Sequence, residues 1–424
     1  MPGHAEHGIV IALLAAAMLL VIGAMAALSI DVVTFYTARS EAQLAADSAA
    51  LAAARVLANS GATSDPNSLT DGLMTTAWGL AQTAALQVAE QNQVGGMNVV
   101  GTQVTLPTGP GGTSTNPTVT ISVQVNNLPT FFARMWGTKF VTVGASATAE
   151  AYNPSGANLT GTTIPVAPMC VKPWLLPNID PSNPPNPIFV TTTGAINDPA
   201  LLGWTFTSPG GVPMSLACPG GNCGGLPPPV AWQYYPGDPA TTFPPPTQAI
   251  PTCAPAMTTP YEQSIAGCIQ TPIACNNTAN VDTSNYGFNR NRETEHAVNC
   301  LTHANANQGD QVDPAYASPP FEFLAGNDNP IAGLAGNDVM VSDSLVTVPV
   351  FDVNSFNPSG TNFQIVGFVQ LFLNPNGMAA PGGMNRGKVN TTIINMAGCG
   401  TGATGTPILG NGASPVAVRL ISPP

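Results

Sequence analysis

Residues 295–303 read Glu-His-Ala-Val-Asn-Cys-Leu-Thr-His, and they place His296, Cys300 and His303 at spacings that suit a zinc ion, with Glu293 and Glu295 beside them. On a helix the three would share a face. The competing reading makes Cys300 a disulfide partner and leaves the histidines as surface residues. Cysteine usage favours the second. Cys170, Cys218, Cys223, Cys253, Cys268, Cys275, Cys300 and Cys399 are even in number, and none precedes residue 170. That distribution through a loop-rich stretch fits a crosslinked body in an oxidising compartment. Spacing alone does not choose among about 105 pairings. Cys218–Cys223 and Cys268–Cys275 read as short disulfide loops, because neither has the Cys-x-x-Cys spacing of redox and zinc sites.

Other chemistry is sparse. Ala-Gly-Asn-Asp occurs at 325 and again at 335, and such units can wrap calcium through carboxylate and carbonyl oxygens. Calcium-binding solenoids need more repeats at a nine-residue period, so turn formation is the expected role. No Gly-x-Ser-x-Gly elbow, Walker loop, His-Glu-x-x-His or dinucleotide fingerprint is present. Of four histidines, two fall in the first seven residues. The expectation is a protein with no catalytic residues, no cofactor and no metal. Charged residues are 8% of the 424, far below the roughly 25% of an average soluble domain. Ten Lys+Arg against 22 Asp+Glu give −12 with no basic run, which argues against a nucleic-acid partner, and none is expected.

These residues hang on a polar-poor framework. Gly8 to Ile30 carries no charge, and about 34 Å of helix crosses a bilayer core of about 30 Å. A cleaved signal peptide is the alternative, with small residues near Ala24 and Ala26. Its apolar run would be shorter and preceded by Lys or Arg, so an uncleaved anchor is expected. Asp31 ends the run, and Phe35 and Tyr36 suit the headgroup level. No proline separates Gly3 from Asp65, so helix continues to about Asn59, where Asn-Ser-Gly stops it. From Ala42 to Ala58, nine of seventeen residues are alanine. Ala46, Ala49, Ala50 and Ala53 predict close packing, against the protein's own head or against neighbouring subunits. Leu44, Leu51 and Ala58 recur every seven residues.

The ordered set Asp31, Tyr36, Arg39, Gln43-Leu44 and Ala46-Asp47-Ser48-Ala49-Ala50 resembles the N-terminal region of TadE/TadG-like proteins of the Flp (Tad) pilus-assembly system. Leu128 to Ala151, beginning Leu-Pro-Thr-Phe-Phe, is similar to the segment that follows in those proteins. The prepilin-peptidase pattern of that system is not matched, since Gly3 is followed by Glu6 and Gly8 by no acid. The metal motif of von Willebrand A-type domains is not matched either, because Asp282-Thr-Ser284-Asn-Tyr286 lacks its last serine.

The resulting expectation is an α+β chain in five parts: a short cytoplasmic N-terminus (1–7), an anchor (8–30), a helix with a small pilin-like antiparallel sheet (31–152), a Pro/Gly/Cys-rich exported region (153–336) and a C-terminal β unit (337–424). A second helix is expected over 72–93. Strands are expected at 97–106, 118–126 and 140–149, the last two with Val119, Ile121, Val123, Val125 and Val141, Val143, Ala145, Ala147, Ala149 facing inward. Later strands are expected at 339–353, 363–373, 389–397 and 415–421, with Cys399 tying the last unit to the middle. The resemblance implies a non-enzymatic, single-pass inner-membrane component of a pilus or secretion apparatus, its body in the periplasm or outside. Its partners would be the membrane, other pilus-assembly or envelope proteins and further copies of itself. The alternatives are a freestanding envelope adhesin or binding protein and, third, a metal-dependent enzyme centred on His296 and His303.

Overall fold

The structure is a computed structural model and describes residues 4–155, 164–203, 214–217, 226–247, 256–283, 288–303, 309–357, 361–375, 387–400, 405–410 and 414–421. Helix α1 runs unbroken from His4 to Asn59. Alanine favours helix and no proline interrupts it, so nothing local stops it before Gly61. Gly61 adopts φ 86°, a left-handed conformation that closes the helix at low cost. Leu73–Glu90 forms α2, entered through Gly72, also left-handed.

In chain order the strands of the two main sheets are β1 (Val104–Thr105), β2 (Gly111–Gly112), β3 (Pro117–Pro129), β4 (Phe140–Tyr152), β5 (Trp174–Pro177), β6 (Ser215–Leu216), β7 (Gln233–Pro236), β8 (Thr278–Asn280), β9 (Leu345–Phe351), β10 (Asn362–Leu373), β11 (Thr391–Gly398) and β12 (Ala417–Ile421). Helices α3 (Pro260–Ala266) and α4 (Phe288–Leu301) complete the regular structure used below.

Two sheets result. The first is antiparallel, in the order β12-β4-β3-β1 with β2 also on β3. Its inner face carries Val119, Ile121, Val123, Val125, Val143, Ala147 and Ala149, all buried against α1 and α2. The alternation predicted for the two long strands is therefore the real one. The strand predicted over 97–106 is broken in two: Met97–Asn98 pairs with Gln93–Val94, and only Val104–Thr105 reaches β3. Left-handed Gly95 and Gly96 make the turn of that hairpin, and the 3-10 turn Gly101–Gln103 interrupts the strand.

The second sheet runs β8-β10-β9-β5-β7-β6, with β11 on the same edge of β10 as β8. It is mixed, since β9/β5 and β7/β6 are parallel pairs. Strands β9 and β11 are buried at every residue, because helices α3 and α4 cover one face, while Phe321 and Phe323 pack on Leu345 and Ile394 of the other, where Phe351 also joins an aromatic cluster with Tyr235 and Phe363. Double burial explains why these segments read as continuous apolar runs rather than alternating ones. Residues 153–336 and 337–424, separated on composition, contribute strands to this one sheet. The last strand also leaves the expected C-terminal unit. Leu420 pairs with Ala149 and Ala417 with Tyr152, so β12 covers an edge of the first sheet that would otherwise expose β4, and Arg419 pairs with Glu150 across the ladder.

Candidate functional site

Asp31 is the first charge after the apolar run, yet only 1% of it is exposed. Its two carboxylate oxygens accept three backbone N–H groups, from Phe131 (3.0 Å), Phe132 (3.0 Å) and Ala133 (2.6 Å). Those donors lie where the β3–β4 connection enters a short 3-10 turn, Ala133–Trp136, and at such an entry the N–H groups have no intrahelical partner. A carboxylate there satisfies three donors at once and meets the positive end of the turn's dipole. The connection is closed on itself as well: Thr130 donates its hydroxyl to the Thr138 carbonyl at 2.5 Å, and left-handed Gly137 ends the turn. In the sequence the Leu-Pro-Thr-Phe-Phe segment and Asp31 stand as separate motif parts. The structure makes them one contact across a hundred residues.

Polar contacts continue along α1. Glu41 accepts the Gly95 N–H at 2.7 Å, and Gln43 donates to Asp47 (2.7 Å) and to the Ser146 carbonyl on β4 (3.2 Å). Between them lies the alanine face. Ala42, Ala45, Ala46, Ala49, Ala50, Ala53 and Ala54 are all 0% exposed, packed with the inward valines of β3 and with Ala77, Ala81 and Ala85 of α2. Of the two packing partners that the sequence allows, the structure shows the protein's own head. The seven-residue stripe fares differently: Leu51 and Ala58 face the core, but Leu44 is 62% exposed. At 3.6 residues per turn a strict seven-residue repeat drifts off a straight helix's face.

The top of α1 is fastened to the second sheet by a buried amide network. Asn395 of β11 donates to the Ala58 carbonyl (2.6 Å) and to Gln370 of β10 (2.7 Å), and Gln370 donates to Asn59 (3.2 Å). Ser64 and Asn153 donate to the Met396 carbonyl at 3.0 and 2.9 Å. Each of these polar groups finds a partner where water is excluded, which rigidifies the joint between rod and body. Sequence reading singled out Asn59 only as a helix stop and Ala58 only in a repeat, and it passed over Ser64, Asn153, Gln370 and Asn395; an isolated Asn or Gln in an apolar strand is the signal that finds the last two.

The zinc arrangement does not assemble. His296 and Cys300 lie on α4, but His296 Nδ1 meets Glu262 at 3.0 Å and His303 Nε2 meets Asp343 at 3.0 Å, so the histidines face different carboxylates. Cys300 is disulfide-bonded. Asp282 pairs with Arg290, whereas Ser284 and Tyr286 lie outside the described residues, as do Cys218, Cys223 and Cys253. Cys170 bonds Cys268 and Cys275 bonds Cys399. The short loop expected between Cys268 and Cys275 is thus replaced by two long-range links. The chain between them is held where Ile269 accepts the Cys170 N–H and Ile273 donates to the Pro168 carbonyl, and just beyond it Asn276 donates to Ile365 on β10. Cys399 does tie the C-terminal strands to the middle region, as expected.

Of the two Ala-Gly-Asn-Asp units, the second brings Asp338 near Asp313 and Glu322, with carboxylate oxygens of all three within 4.8 Å. Burial first, then the charges of Asp338 and Asp313, push the Glu322 carboxyl up to about 7. A carboxyl raised in the folded state binds more protons there than when unfolded. Its contribution is therefore complete below the ordinary glutamate value and is lost as pH rises toward 7. Local stability of residues 311–338, read by hydrogen exchange, should fall between pH 4.5 and 7 and do so less in Glu322→Gln. An unchanged profile in that variant would refute the assignment.

No curated protein and no solved structure matches the chain. The comparison that succeeds is with a family, and it falls on the segment holding the apolar run, Asp31 and the alanine face: residues 10–56 match the putative Flp pilus-assembly TadE/G-like family.

Proposed function

We propose that this chain is a membrane-anchored, non-enzymatic component of a Flp-type pilus-assembly or secretion apparatus, acting through protein contacts. The observation that carries the reading is the match of residues 10–56 to a helix with two different halves. Its lower half is bare: Ile11, Leu14, Leu20, Met25 and Ile30 are all at least half exposed. Exposed apolar surface of membrane length asks for lipid or for other spans. Its upper half is covered by the protein's own head, so that face is already occupied. Partner contacts then fall to the span and to the outward surfaces of the body. Cys170, Cys268, Cys275, Cys300 and Cys399 are all oxidised, which supports a body on the periplasmic or outer side of the inner membrane.

The test is made in the native membrane. A photo-crosslinking amino acid at Leu20 should capture another protein of the pilus apparatus or a second copy of this chain. Deleting the chain should abolish surface filaments. Filaments that assemble normally without it would overturn the pilus role and leave an envelope adhesin as the reading.

A further inference from the structure

We propose that the β3–β4 connection, residues 130–140, is a second membrane contact: a tip that docks on the anionic headgroup layer of the bilayer crossed by α1. The inference rests on reading residues 8–30 as a span and goes beyond the pilus role.

Three observations place the tip there. The hydrogen bonds from Phe131, Phe132 and Ala133 to Asp31 fix the connection at the level where the apolar run ends. The covered face of α1 also continues below that level. Ala27, one turn deeper into the run, is only 8% exposed, whereas its neighbours Met25 and Leu28 are exposed. The head therefore overlaps the span by about one turn, roughly 5 Å, which is comparable to the depth of a headgroup layer.

The third observation is what the tip presents. Phe131 and Phe140 are 61% and 57% exposed. Arg134 and Lys139 are exposed between the two phenylalanines, with Arg39 on the helix above. Three of the chain's ten cationic side chains thus gather at one end of a protein with net charge −12. None of the three forms an ion pair among the described residues. The nearest carboxylates along α1, Asp31 and Glu41, are already taken by backbone N–H groups. Aromatic rings flanked by Lys and Arg suit the boundary between acyl chains and anionic headgroups. On a chain of net charge −12, this cationic end is the one suited to anionic lipid.

The test uses the full-length protein in vesicles of phosphatidylcholine, with or without phosphatidylglycerol. An environment-sensitive dye is placed at Phe140→Cys or, as a control further along the sheet, at Thr120→Cys, and lipids brominated high on the acyl chain serve as quencher. Quenching at 140 but not at 120, stronger with phosphatidylglycerol, is the expected result. At about fivefold per cation, R134E/K139E should lower the docked-to-free ratio of the tip at least 25-fold. Flotation of every variant with the vesicles separates failure of the tip from failure of the anchor. A floated protein whose dye at 140 stays as water-exposed as at 120 would overturn the proposal. So would quenching that ignores both the anionic lipid and the charge reversal.

Discussion

Asp31→Ala is expected to free the β3–β4 connection from α1 while leaving the span inserted. The substitution removes both acceptor oxygens and strands three N–H groups in a site that is 1% exposed. These donors are part-buried, so each one left unsatisfied costs less than the roughly 1–3 kcal/mol of a fully buried donor, and the three together still make the intact arrangement unfavourable. The connection escapes that cost by moving into water, which local opening permits without unfolding the sheet. Hydrogen exchange of residues 130–139 reads the change: protection at Phe131, Phe132 and Ala133 should vanish, while that of Val119–Val125 persists. Asp31→Asn should fall between, since it keeps one acceptor oxygen but turns an N–H₂ toward donors. Equal protection in wild type and Asp31→Ala would show that something other than the carboxylate holds the connection.

The position of this contact explains its form. A free carboxylate at the end of a membrane-length apolar run is costly, because it must stay hydrated or be paired. Backbone donors pair it without introducing a second charge. The same three bonds set the height of the head on the helix, so one residue decides both where the apolar run ends and where the head begins.

Much of the first sheet was legible because each of its strands has one dry and one wet face. The alternation in Thr-Val-Thr-Ile-Ser-Val-Gln-Val reports that asymmetry directly, and the end of α1 follows from Asn-Ser-Gly. The second sheet was harder to read: β9 and β11 are dry on both faces, so their residues carry no period and gave no hint that β5 and β7 would join them. The displacement of β12 into the first sheet depends on an open edge of β4, and an edge is a property of the assembled sheet rather than of any segment. At the candidate site, Asp31 and the Phe131–Phe132 pair were each visible as types in context. Their contact was not, because a hundred residues of separation leave no spacing rule to join them. The cysteine pairing was hidden for the same reason.

The quadruple substitution A46L/A49L/A50L/A53L should produce the largest loss. Each of the four alanines is 0% exposed, and each leucine adds three carbons to a contact already closed by β3, β4 and α2. Overpacking of this kind costs about 1–3 kcal/mol per site, so four together reach about 4–12 kcal/mol, comparable to the whole stability of a domain. The head should detach from α1 and become sensitive to protease, while Val10–Ile30, which the head hardly touches, still anchors the chain against alkaline extraction. Leu44→Ala, on the exposed side of the same helix, should change thermal stability little, within about 0.5 kcal/mol. The contrast assigns the alanines. Had they served a neighbouring subunit, the quadruple variant would fold normally as a monomer and fail only in assembly. With the covering sheet in the same chain, folding fails first, and any loss of assembly is its consequence. A quadruple variant with a wild-type melting temperature would mean that the sheet does not close on this face, and the alanines would then be free for another helix.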